Sequence, residues 1–289
     1  MANGNAALRD ELIAVILNSS YSQYAQCQLP LSEAGPAIEG EGLFAGVQML
    51  RLTADGDLQN KLPDPSTVEG VEVLFRLLTA RGVFKPMEVI PAAQEGGLMP
   101  HVGRFVMRRT GEIGANMHAI DGKRRLVCCN IDDDFLSDPS FEPSVEQAVH
   151  TARGNTIGLE LLEKMKTLQG KNIEKLRRLV KLEVVLLVDD FGQENSGKVL
   201  EAVLEAGLPV HSVKVDSRDV KGIHLRRPVE EVLALVDTAK RKDISSLIFE
   251  GGPGIGSPEL TALNTALEEV DCDLETWFEG CTYPYSRVA

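Results

Sequence analysis

Apolar and polar residues alternate with two periods along this chain, and the period changes from segment to segment. In "LRDELIAVILNS" (8–19), Leu12, Ile13, Ile16 and Leu17 recur at helical spacing on one face, which predicts a helix. The Gly/Pro-rich stretch "LPLSEAGPAIEGEG" that follows reads as a loop. "VQMLRLTADGD" (47–57) alternates and then turns at Asp55-Gly56, which predicts a strand. "STVEGVEVLFRLLTARG" (66–82) reads as a helix stopped by Gly82, and "KPMEVIP" as a short strand closed by Pro91. "GRFVMRR" and "NMHAIDGKRRLVCCNID" suggest β-structure, with a hairpin turn at Asp121-Gly122. "DDDFLSDPSFEPS" reads as an acidic, proline-containing loop, and 144–179 as helical with breaks at Gly154 and Gly170.

From residue 182 onward, strands and helices alternate. "LEVVLLVDD", "VHSVKVD" and "ISSLIFE" read as strands, and "DLETWFEG" as a last one. Between them, 196–207 reads as a helix with Val199, Leu200, Val203 and Leu204 on one stripe. "PVEEVLALVDTAK" is a helix begun by Pro228, and "SPELTALNTALEEV" one capped by Ser257. Alternation of this kind implies a parallel sheet.

The strands share a spacing, LxxLxL: Leu182, Val185 and Leu187; Val210, Val213 and Val215; Ile244, Leu247 and Phe249. This resembles the leucine-rich repeats of the ribonuclease-inhibitor type, whose units of about 28 residues hold a strand, a loop and a helix. The resemblance is best over 182–280 and implies an α/β solenoid with a parallel sheet. It departs from the family at the turn after each strand, where Asp190, Arg218 and Gly252 stand in place of Asn or Cys. The alternative is an open α/β sheet with helices on both faces. Strands buried on both sides should be apolar almost throughout. "LEVVLLV" meets that test, whereas "VHSVKVD" and "ISSLIFE" alternate, and this favours the solenoid. The corresponding organisation is an N-terminal cap over 1–46 and a repeat-like domain over 47–289, with an alternative split near 145.

Composition narrows the partners. Apolar residues make up 43% and charged residues 25%, ordinary for a soluble globular protein. No apolar run is long enough to span a membrane, and the start lacks the basic region of a secretory signal. A net charge of −13 argues against nucleic acid as a partner. The basic cluster Lys175, Arg177, Arg178 and Lys181 reads as the solvated face of a helix. Five cysteines without CxxC predict free thiols in a reducing, cytoplasmic compartment. The five histidines are scattered, so neither a metal site nor a cofactor is expected.

Three segments carry candidate chemistry. "EGGPGIGSPEL" has the glycine spacing of a phosphate-binding loop at Gly252, Gly254 and Gly256, but Ser257 stands where the loop's lysine belongs. It reads first as a tight strand-to-helix turn. "VVLLVDDFGQENSGK" faintly resembles the ribose-phosphate motif of phosphoribosyltransferases, in which Asp189 and Asp190 would contact ribose hydroxyls. Two acids at a strand end on the surface are the plainer reading. "NIDDDF" has oxygen ligands for a divalent cation but not the spacing of a calcium loop. Trp277, Phe278, Tyr283 and Tyr285 read as a cap over the last apolar face.

These observations favour a non-enzymatic interaction protein that binds a protein partner, or a second copy of itself, through its strand face. In that reading Leu186, Lys214, Ile248 and Phe278 form one outward row, about 4.8 Å per step. No membrane partner is expected. The alternative is a small α/β enzyme, or a nucleotide or sugar-phosphate binder, using the loops after 188 and 250.

Overall fold

The computed structural model describes residues 10, 12–14, 42–51, 69–79, 81–121, 123–162, 164–166, 168–189, 191, 196–216, 234, 236–250 and 275–279. The chain divides into two compact units. The first comprises Met1–Val47, Glu72–Ile157 and Tyr283–Ala289, the second Gln48–Val71 and Gly158–Thr282.

β2 (Gly70–Thr79), in the first unit from Glu72 on, turns back on β3 (Gly82–Phe84) as an antiparallel hairpin, with Leu77 opposite Phe84. Val71, Val73, Phe75 and Leu77 of β2 are all buried at every second position. That period-2 set makes the segment a strand, not the helix expected from its overall apolarity. Gly82 is the turn residue, not a helix stop; its φ of 121° is one that glycine adopts without strain. The expected strand "KPMEVIP" is instead the start of α1 (Pro86–Glu95). Pro86 sits in its first turn, where a proline lacks no needed donor.

α2 (Met99–Asp121) replaces the β-structure expected at "GRFVMRR", and only β4 (Leu126–Ile131) is extended there. α2 packs closely on α4 (Phe141–Thr151). A Cβ at Gly111 would lie 2.9 Å from Ala148 Cα, so only glycine permits that approach. The acidic stretch expected as a loop holds the short helix α3 (Asp133–Ser137) and the start of α4. Asn155 ties these pieces together: Nδ2 donates to Gly114 O at 2.6 Å, and Oδ1 accepts from the Arg125 N–H at 2.6 Å.

The second unit is built on β5 (Thr156–Leu161), β6 (Val185–Val188), β7 (Ser212–Asp216), β8 (Ser246–Glu250) and β9 (Glu275–Glu279). β5 begins at the end of the first unit, and the segment was expected to be helical. Neighbours in this series are parallel, and β9 also pairs antiparallel with β1 (Gly42–Arg51), Leu50 opposite Glu279. α5 (Lys171–Val180) and α6 (Ser196–Glu205) are the crossovers on either side of β6. Ile173, Leu176 and Leu179 form the buried stripe of α5, as its helical spacing requires.

The architecture is therefore a parallel α/β sheet with helices, the alternative of the two sequence readings at that level, and not a leucine-rich-repeat solenoid. Leu161, Val188, Val213, Leu247 and Thr276 are successive register partners, at uneven steps along the chain that no fixed repeat would give. The alternation in β7 and β8 does not mark one solvated face. Val213, Val215 and Leu247 are buried, but so are Ser212, Lys214 and Ser246. Ser212 and Ser246 are register partners, and their hydroxyls hydrogen-bond each other, which is what allows polar residues to sit inside.

Three αβ connections share a local device. Arg153, Glu183 and Asp243 adopt φ of 54°, 63° and 54° shortly before β5, β6 and β8, a left-handed step of the kind that ends helices.

Candidate functional site

Each unit holds a buried polar cluster on its strands. In the second, Glu160 is the penultimate residue of β5 and Lys214 the middle residue of β7. They are 0% and 2% exposed, and Lys214 Nζ donates to Glu160 Oε2 at 3.0 Å. β6 lies between their strands: Glu160 is level with Leu187, and Leu187 with Ser212. Lys214 stands two residues beyond Ser212, so its chain reaches sideways past β6 to meet the carboxylate.

The turn after β6 is fixed to both neighbouring strands. The Asp189 N–H donates to Leu161 O at 3.1 Å, and the Phe191 N–H donates to Lys214 O at 2.7 Å. Asp216 ends β7, Glu250 ends β8, and the two are register partners. Acidic residues thus stand at, or one residue from, the C-terminal ends of four adjacent parallel strands, with a buried ammonium among them. The carboxyl ends of parallel strands are where α/β folds bind ligands, because the loops there diverge and leave room.

In the first unit, Glu72 of β2 is 4% exposed, and Asn130 of β4 donates from Nδ2 to its Oε1 at 2.6 Å. Arg76 lies two alternations further on in β2, and its guanidinium donates to Phe75 O at 2.8 Å. Burial pulls the Arg76 pKa down, and the Glu72 charge opposes that pull. Asp132 follows β4 and caps α3, accepting from the Asp134 and Phe135 N–H groups at 2.8 and 3.0 Å. The cation turn considered in "NIDDDF" is thus in large part a helix cap. Burial pushes the Asp132 carboxyl above its usual range, and the charges of Asp134 and Asp133 add to the rise. Its two backbone hydrogen bonds oppose that shift.

The expected outward row does not exist. Leu186, Lys214 and Ile248 are all buried. Lys214 is level with Ile248, but Val188 is level with Val213, so Leu186 falls three positions short and on the opposite face. Ile248 is level with Trp277, which displaces Phe278 by one residue. Asp190, Gly252, Gly254, Gly256, Ser257, Tyr283 and Tyr285 lie outside the described residues. Sequence reasoning passed over Glu72 and Glu160, and weighed Asn130 only as part of the cation turn "NIDDDF". The available signal was a polar residue inside an apolar strand, in "VEVLF", "VCCNI" and "GLELL", where burial without a purpose is costly. Among the described residues, no three His, Cys, Asp or Glu side chains are grouped to hold a metal ion, and no helix is long and apolar enough to cross a membrane.

Comparison with known proteins overturns the leucine-rich-repeat resemblance and, with it, the scaffold reading. The family model of the EAL domain matches residues 65–251. An uncharacterized signaling protein of Caulobacter vibrioides is 29% identical over 187 residues, which are 63% of this chain and 21% of the relative. The chain thus spans about a fifth of that protein's length. The EAL enzyme Bd1971, solved with cAMP and cyclic-di-GMP bound, is similar at a TM-score of 0.67 and 17% identity, over 96% of this chain and 65% of that one. The PaMucR phosphodiesterase in complex with c-di-GMP is similar at a TM-score of 0.62 and 20% identity, over 82% and 89% of the two chains. The FimX EAL domain of Pseudomonas aeruginosa bound to c-di-GMP is similar at 0.60 and 20%, over 82% and 88%.

Proposed function

This chain belongs to the EAL domain family, and on that premise we propose that it binds cyclic-di-GMP and hydrolyses one of its phosphodiester bonds. The observation that carries the reading is the buried Lys214–Glu160 pair at the C-terminal ends of parallel strands. A fold that needed only stability would fill such positions with apolar residues, because a buried ion pair gains little over them. A phosphodiester, by contrast, needs both charge types: a cation for its anionic oxygens and carboxylates to handle the protons of an attacking water.

The reaction is simple in its balance. A water oxygen forms a bond to phosphorus, one ribose oxygen leaves phosphorus and takes up a proton, and the ring opens to a linear dinucleotide with a terminal phosphate. Lys214 supplies fixed positive charge, and the Phe191 N–H ties its strand to the turn after β6. Among the described residues no three carboxylates are grouped to hold a divalent cation, so no step is routed through one. In the first unit, Glu72 and Asn130 are a second buried polar pair, a carboxylate and an amide, for which stability alone gives no use.

Purified protein incubated with cyclic-di-GMP should yield the linear dinucleotide on chromatography. Glu160→Gln should abolish turnover. Bound dinucleotide should also raise the melting temperature, since a ligand that binds only the folded state stabilises it. No thermal shift and no product at a large excess of cyclic-di-GMP would end this reading. A shift without product would reduce it to nucleotide binding.

A further inference from the structure

We infer that Phe135, seated on the backbone of α2 at Gly103, is a positioning residue that holds Asn130 against Glu72. The inference rests on the proposed hydrolytic reading for its consequence, though not for its geometry. Phe135 is 1% exposed and lies so close to α2 that a Cβ at Gly103 would stand 2.3 Å from its Cγ and 2.4 Å from its Cδ1. No side chain larger than hydrogen fits there without moving the ring. On its other side, Phe141 meets the ring edge-to-face, with centroids 5.2 Å apart and an interplanar angle of 86°. The ring is therefore gripped between the backbone of α2 and the first residue of α4.

Asn130 is five residues upstream, and little between the two can absorb movement. Ile131 is buried in β4. Asp132 closes the turn, with Oδ1 accepting from the Asp134 and Phe135 N–H groups. The Leu136 N–H donates to Asp132 O at 3.0 Å, which starts the helix. The cap joins the strand end to the Phe135 backbone, and the ring joins that backbone to α2. Asn130 then places its amide 2.6 Å from Glu72 Oε1, a bond with little tolerance for displacement. Packing alone would have allowed an alanine at position 103 and a smaller residue at 135. The seat fixes the end of β4 where it must meet a buried carboxylate.

The test combines clash, rescue and a distant control. Gly103→Ala should lower kcat for cyclic-di-GMP by about 10- to 100-fold, the penalty of misplacing a group by about 1 Å, with KM unchanged. Gly103→Ala combined with Phe135→Leu makes room for the new methyl and should recover most of the loss. Gly111→Ala crowds Ala148 further along α2, and should lower the melting temperature while leaving kcat intact. The ¹⁵N side-chain signals of Asn130 should shift in Gly103→Ala and return in the double variant. Should Gly103→Ala fail to fold, Phe135→Leu alone, which loosens the seat instead of crowding it, should lower kcat and move the same signals. A folded Gly103→Ala protein with wild-type kcat and an unmoved Asn130 amide overturns the inference, as does a loss that the second change does not rescue. If the wild-type protein hydrolyses no cyclic-di-GMP, the functional reading falls, and the Asn130 signals still decide whether the seat positions that residue.

Discussion

Lys214 Nζ meets Glu160 Oε2 at 3.0 Å across the width of β6, and both side chains are buried. Two charges have been taken out of water to make this contact, and each now depends on the other. The pair sits on two strands that are not neighbours, so it also registers β7 against β5 through the strand between them.

Removing one partner should therefore cost far more than removing both. Lys214→Met should destabilise the protein by about 3–5 kcal/mol, because it strands a buried carboxylate. Glu160→Gln combined with Lys214→Met should cost less than the two single changes added together. Urea denaturation of the three variants measures this, and additive losses would show that the pair is not coupled.

Asp132 sets a pH dependence. Burial raises its folded pKa above the usual 3.8, so its ionised form carries a cost in the folded state. The stability linked to its protonation is fully present below 3.8 and is lost as pH rises through the folded value. Asp132→Asn keeps an oxygen to cap α3 and removes the charge. It should be more stable than the wild type at neutral pH, with the difference shrinking as pH falls toward 4. Denaturation midpoints across that range check the sign; a variant less stable at pH 7 contradicts it.

Asn155 joins the carbonyl of Gly114 to the N–H of Arg125. Asn155→Ala leaves both backbone groups buried without that partner and should cost about 2–3 kcal/mol. Asn155→Asp keeps the acceptor for Arg125 but cannot donate to Gly114 O, so it should also be destabilising. Calorimetry gives both numbers.

The Ser212 and Ser246 hydroxyls hydrogen-bond each other inside β7 and β8. Ser212→Ala should cost about 1 kcal/mol, with the cost concentrated in the Ser246 hydroxyl left behind. The double alanine variant should therefore cost less than the sum of the single changes. Thermal unfolding of the four proteins closes the cycle.

The sequence by itself determined the strands β6, β7, β8 and β9 and the helix α6. In "LEVVLLV" the apolar run Val185–Val188 became β6, with Leu186, Leu187 and Val188 buried; "SGKVLEAVLE" has a helical stripe and became α6. It also determined that the strands would be parallel, since helices separate them. It did not determine the faces. Alternation in "VHSVKVD" looks the same whether Ser212 and Lys214 face water or a polar interior, because period 2 reports a difference between two sides and not which side is wet. Local pattern failed altogether at β2, where Glu72 and Arg76 interrupt an apolar run and gave it a helical look. Only tertiary structure decided those positions. Glu160 finds its cation 54 residues away, and Glu72 its amide 58 residues away. Such partners are brought together by strand order and register, which no window of sequence contains, and a buried charge is tolerable only once its partner has arrived.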